Sequence, residues 1–73
     1  MKFNYSKLLG RMKECGFTQS MLSSKIGINE GTLSAKLNNR FYFTPYEIFM
    51  ICEILSILQE EIGEYFFTVK VRV

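Results

Sequence analysis

Apolar residues recur along most of this chain at intervals of three and four, the spacing that lays side chains along one side of an α-helix. Tyr5, Leu8, Leu9 and Met12 keep it over a first segment, which reads as a helix from Asn4 or Tyr5 to Cys15. Gly16 ends that helix, and Phe17 anchors the loop in the core. Leu22 and Ile26 lie one turn apart in a second segment, Gln19–Ile26, and Leu33 and Leu37 do the same in a third, Glu30–Asn38. Thr18 and Asn29 precede these two segments and can cap them by accepting a backbone N–H bond. Gly27 sits between them, where the chain must leave a helix in a left-handed conformation. Ile28 packs under the turn, and Ser23 is small where the two helices would cross.

Thr44-Pro45-Tyr46-Glu47 announces a fourth helix. Thr44 is its N-cap, Pro45 occupies the first position where a missing N–H costs nothing, and Glu47 completes a capping box. Ile48, Ile51, Cys52 and Leu55 form its inner stripe. A fifth helix runs near Gln59 to Tyr65, with Leu58, Ile62, Tyr65 and Phe66 facing inward and Gly63 weakening it. The tail, Thr68–Val73, alternates apolar and basic residues with period two, which is a strand pattern. Such a strand needs either an edge within its own monomer or a twofold-related copy of itself. With no second strand evident in the chain, the copy is favoured. The loop Asn39–Phe43 is rich in aromatics and reads as a plug sealing the third helix against the fourth, the alternative being an exposed binding patch. The fold class is therefore all-α: a compact five-helix bundle, one domain over residues 1–73, with a C-terminal dimerisation strand.

The pair Gln19–Ile26 and Glu30–Asn38 has helix-turn-helix spacing, and a second helix so placed is shaped to enter a DNA major groove. In Gln19, Leu22, Gly27, Ile28, Leu33, Ser34 and Asn38 the chain resembles the phage repressor and Cro-type helix-turn-helix regulators. The likeness extends more weakly over Met1 to Phe67, toward short prophage-encoded repressor-like proteins. Ser23 stands where that family usually has Ala, and Asn39-Arg40 where it often has a glycine. The resemblance implies a repressor-like bundle, a DNA operator as partner, and a phosphate contact from Gln19.

Seventy-three residues, 48% of them apolar, make one small core. No apolar run is long enough to span a membrane and no secretory signal opens the chain, so a cytoplasmic protein is expected. Cys15 and Cys52 fall on apolar faces and read as buried thiols, although a disulfide between them is open in principle. The chain has no histidine. That excludes His-based acid–base catalysis and His-containing metal sites, and no cofactor, small-molecule substrate or enzymatic activity is expected. Net charge is +2, but it is segregated. Met1 to Thr44 holds seven basic residues against two acidic ones, whereas Pro45 to Thr68 holds five glutamates and no base. A basic half containing the helix pair, backed by an acidic half, suits a small DNA binder.

Base edges are read by side chains near the start of the recognition helix, which offers Asn29, Glu30, Thr32, Ser34 and Ala35. Asn29 can pair with adenine unless its cap consumes it. Glu30 can accept from cytosine or can serve only the helix dipole. Ser34 is a base or phosphate contact, and Ala35 and the Thr32 methyl can meet a thymine methyl. Lys36 offers the helix's one cation for guanine or phosphate. Asn38, Asn39 and Arg40 resemble the loop that clasps the DNA backbone, with Arg11 and Lys25 as second-line phosphate contacts. The leading reading is a sequence-specific operator-binding regulator acting as a homodimer. The alternative is a protein-interaction module of the same fold, antirepressor or antitoxin-like.

Overall fold

The computed structural model describes residues 1–71. Among them the chain forms α1 (Ser6–Glu14), α2 (Gln19–Ile26), α3 (Glu30–Leu37), α4 (Pro45–Leu55) and α5 (Ile62–Phe66). One turn of 3-10 helix, Gln59–Glu61, leads into α5. Short polar side chains start these elements. The Thr18 hydroxyl accepts from Met21 N at 3.1 Å and the Asn29 Oδ1 from Gly31 N at 2.7 Å. At α4 the capping box is complete: Thr44 Oγ1 accepts from Glu47 N at 3.2 Å, and Glu47 Oε1 accepts from Thr44 N at 2.9 Å. Asn4, outside α1, accepts from Ser6 N, so that helix begins at Ser6 rather than at Asn4 or Tyr5.

Helices α1 to α4 all end in one motif. A residue with positive φ follows each, at Gly16, Gly27, Asn39 and Ser56. The next residue's N–H then reaches back to a carbonyl in the last turn: Phe17 to Met12, Ile28 to Ser23, Arg40 to Ala35, Ile57 to Cys52. These are Schellman closures, which satisfy carbonyls that a helix end otherwise leaves unpaired. Asn39 thus does the work of the glycine that commonly follows the third helix, because its short amide tolerates the left-handed conformation. The carbonyl of Leu55, at the end of α4, also accepts from Arg11 Nε at 2.8 Å.

The core lies between the helices, with Leu8, Leu22, Leu33, Ile51, Leu55 and Phe66 almost fully buried. Each such side chain contributes about 1.5–3 kcal/mol by leaving water. A run of edge-on rings extends the core toward the chain termini: Tyr5 on Phe43, and Phe43 on Phe66, with centroids 5.4 and 5.5 Å apart. Three inward assignments do not hold. Leu9 is 41% exposed and Leu58 is 58% exposed. Ile57, released from α4 by the closure at Ser56, is buried in the place assigned to Leu58. Of the aromatic plug only Phe43 is buried; Phe41 and Tyr42 are 63% and 64% exposed.

The tail does find a partner within the monomer. Val69 forms an isolated antiparallel bridge with Phe3, through Asn4 N to Thr68 O and Lys70 N to Lys2 O. Residues 2–4 supply the edge, which periodicity could not reveal because three extended residues are too short to show a period. Arg72 and Val73, the end of the proposed strand, lie outside the described residues. The fold is an all-α bundle with a radius of gyration of 11.5 Å, close to the ~11 Å of a compact domain this size. No helix among the described residues is long and apolar enough to cross a membrane.

Candidate functional site

Helices α2 and α3 pack on each other through Leu22, Ile26, Leu33 and Leu37, with buried Ser23 allowing close approach. The three residues Gly27 to Asn29 join them, so the pair keeps the helix–turn–helix order read from the spacing. The opposite side is open: Asn29, Glu30, Thr32, Asn38 and Arg40 are exposed, and Gln19, Ser34 and Ala35 are half-buried. The structure therefore brings eight of the ten sequence-derived candidates to one surface or its margin.

Prior commitments restrict what several of them can do. Asn29 Oδ1 accepts from Gly31 N, and that cap orients the amide and competes for the acceptor that a two-bond contact to adenine needs. Gly31 leaves room for this cap, since a Cβ there would stand 3.1 Å from Asn29 Oδ1 and the amide would have to shift slightly. Asn38 folds back on its own helix, its Nδ2 donating to Ser34 O at 2.8 Å, with Ser34 Oγ at 3.5 Å.

Lys36 and Asn39 are not presented at all. Lys36 is only 8% exposed, and its Nζ sits 2.5 Å from Glu47 Oε1. Burial alone would push the Glu47 carboxyl up. The Lys36 hydrogen bond and the Thr44 bonds outweigh that and hold it below its ordinary 4.5. The single cation of the recognition helix is thereby spent tying α3 to the start of α4, and Glu47 leaves the solvated acidic face. Asn39 is turned toward the N-terminal segment. Its Oδ1 accepts from Phe3 N at 2.7 Å and its Nδ2 donates to Phe3 O at 2.9 Å, the paired bonds of a strand partner. Arg11 is likewise engaged with the end of α4.

Among the described residues, exposed Arg40 follows α3 and exposed Lys25 lies on the last turn of α2, with Glu30 supplying the opposite sign. Three further residues are exposed: Met21 on α2, which sequence reasoning missed, and Phe41 and Tyr42 after α3, which it assigns to the plug; the Tyr42 ring stands edge-on to Phe3. Their signal was present as large apolar residues off the periodic stripe, but an apolar residue in so small a chain is read first as core. Of the two cysteines, Cys52 is buried and Cys15 half-buried, and both are free thiols. Burial, with Glu53 alongside, pushes the Cys52 thiol up and keeps it protonated.

A family profile described as "Protein of unknown function (DUF739)" matches residues 1–69. The chain belongs to the DUF739 family. The comparison with curated proteins found no match. Among solved structures, the chain is similar to the solution structure of the modulator of repression (MOR) of the temperate bacteriophage TP901-1 from Lactococcus lactis. Identity is 35% and the TM-score 0.78, over 99% of this DUF739 chain and 97% of that one. The similarity therefore extends over nearly the whole of both chains.

Proposed function

We propose that this DUF739 protein modulates phage repression by docking on a repressor protein, with the exposed side of α2 and α3 as its contact surface. The burial of Lys36 against Glu47 carries the reading. An operator reader gains most of its affinity from cations that neutralise phosphates. Here Lys36 and Arg11 are engaged internally, Asn39 is engaged with Phe3, and Glu30 repels phosphate. Beside the exposed cations Lys25 and Arg40, the other residues are neutral: Thr32 and Asn38 are exposed, Ser34 and Ala35 half-buried, and Met21, Phe41 and Tyr42 are exposed as well. Exposed aromatic and Met side chains around small polar ones suit a protein contact better than a phosphate backbone. The name of the structurally similar MOR protein, a modulator of repression, supports the same direction.

The test mixes the purified protein with a phage repressor protein and with duplex DNA carrying a phage control region, separately and together. The expected outcome is a protein–protein complex that Thr32→Arg weakens at least tenfold, with no preference for the duplex over random DNA at physiological salt. Sequence-specific binding to the duplex by the protein alone would overturn it.

The spacing of α2 and α3 and the basic N-terminal half favour one second reading, an operator-binding homodimer. On that reading Gln19 and Arg40 hold phosphates while Thr32, Ser34 and Ala35 meet base edges. Arg40→Ala would then lower the salt slope of DNA binding by about one unit, equally for all sequences. A salt-independent affinity would exclude it.

A further inference from the structure

Away from α2 and α3, a groove of about 520 Å³ opens between α4, the 3-10 turn and α5. Its volume lies within the ~300–1,000 Å³ usual for clefts that hold a ligand. Ile48, Phe49, Ile57, Ile62 and Phe67 make its apolar walls, with Glu53 and, among the described residues, no lysine or arginine lining it. Phe49 and Phe67 are 59% and 51% exposed, although each has the size and apolarity of a core residue. The acidic side is equally marked. Of the five glutamates between Pro45 and Thr68, Glu47 is bound to Lys36 and Glu64 to Lys7, while Glu61 accepts from Leu58 N. Glu53, in the groove, and Glu60, next to the lining residue Gln59, are exposed and have no ion-pair partner among the described residues.

We propose that this groove is a docking site for a basic amphipathic segment of a protein partner. The partner's apolar stripe would fill the space between Phe49 and Phe67, and its lysines or arginines would meet Glu53 and Glu60. An amphipathic helix supplies that combination, with anchors on one side at three- and four-residue intervals and cations on its flanks. The sign of the rim selects against the two other classes of large anionic partner, because DNA and anionic membrane surfaces are repelled by it. The groove shares no residue with the α2–α3 surface, so the two assignments stand or fall separately.

The full chain, labelled with nitrogen-15, is titrated with a synthetic Leu/Lys amphipathic helix of about 18 residues, long enough to hold a helix. A counterpart with every Lys replaced by Glu is titrated in parallel. The expected result is a set of amide shifts confined to α4, the 3-10 turn and α5, from the basic peptide only. Phe49→Ser and Glu53→Lys should each weaken that binding roughly tenfold. The same charge reversal at the exposed Glu14 of α1 should leave it unchanged. Phe49 and Glu53 are both exposed, so matching helical circular dichroism is expected and confirms that the variants are folded. Equal binding of the acidic peptide, or shifts on α2 and α3, would overturn the proposal. So would a concentration-dependent dimer abolished by Phe49→Ser, which would make a second copy the occupant, or saturable binding of duplex DNA or anionic vesicles with shifts in the groove.

Discussion

Lys36 and Glu47 stand eleven positions apart, yet their side chains form one buried pair that ties α3 to the capping box of α4. Removing one partner of such a pair leaves a charge stranded away from water, which costs about 3–5 kcal/mol. Lys36→Met should fall at the lower end, about 3 kcal/mol in urea unfolding, because Glu47 keeps the bonds from Thr44. The pair also sets an acid limit. The Glu47 carboxyl is held below its ordinary 4.5 in the folded chain, so its contribution is full above that pH and is lost as pH falls through the lower folded value. The stability gap between the wild type and Glu47→Gln should therefore be constant near neutrality and close as the pH drops below about 4.5. Urea midpoints taken from pH 7 down to pH 3 check this, and a gap that widens in acid would contradict it.

Helices α2, α3 and α4 are bounded by local chemistry at both ends, but packing joins elements remote in sequence, α1 with α5 and α2 with α4. Asn39 is where one closure does two jobs, since it ends α3 at φ 64° and pairs with the backbone of Phe3. Asn39→Gly keeps the left-handed turn but loses two hydrogen bonds worth about 0.5–1.5 kcal/mol each. Asn39→Ala loses the bonds and adds the left-handed penalty of about 1–2 kcal/mol. Stability should therefore fall from wild type to Gly to Ala, and an Ala variant as stable as the Gly one would show that the turn is not strained. The tail belongs to the same edge. Deleting residues 68–73 should leave helical circular dichroism intact while Asn4 N–H, which donates to Thr68 O, loses its protection from hydrogen exchange. An unchanged Asn4 amide would mean that Asn39 alone holds the N-terminal segment.

Across the whole molecule, charge and apolar exposure divide the surface into two regions. The N-terminal half carries the α2–α3 surface and the positive excess, and the C-terminal half carries the acidic groove. A regulator with two such surfaces can hold two different segments of a partner, and each set of groove or α2–α3 variants should impair one contact and spare the other. The aromatic run from Tyr5 through Phe43 to Phe66 links the first, middle and last parts of the chain in one core. Thermal unfolding is accordingly expected as a single cooperative transition, with calorimetric and van't Hoff enthalpies equal; two transitions would show that the halves fold independently.

Periodicity and capping chemistry were enough to place α1 to α3 and the start of α4 within about two residues, because helix starts and stops depend on neighbours three or four positions away. Thr18, Gly27, Asn29 and Thr44 could be assigned from the sequence alone for that reason. The roles of Lys36, Asn39 and Arg11 could not. Each is a polar side chain whose partner, at Glu47, Phe3 or Leu55, lies eleven to forty-four positions away, and only the folded chain brings the two together. A lysine on a recognition helix and a lysine in a buried ion pair look the same along the chain. The tertiary structure decides between them because a buried charge must find its counter-charge and an exposed one need not.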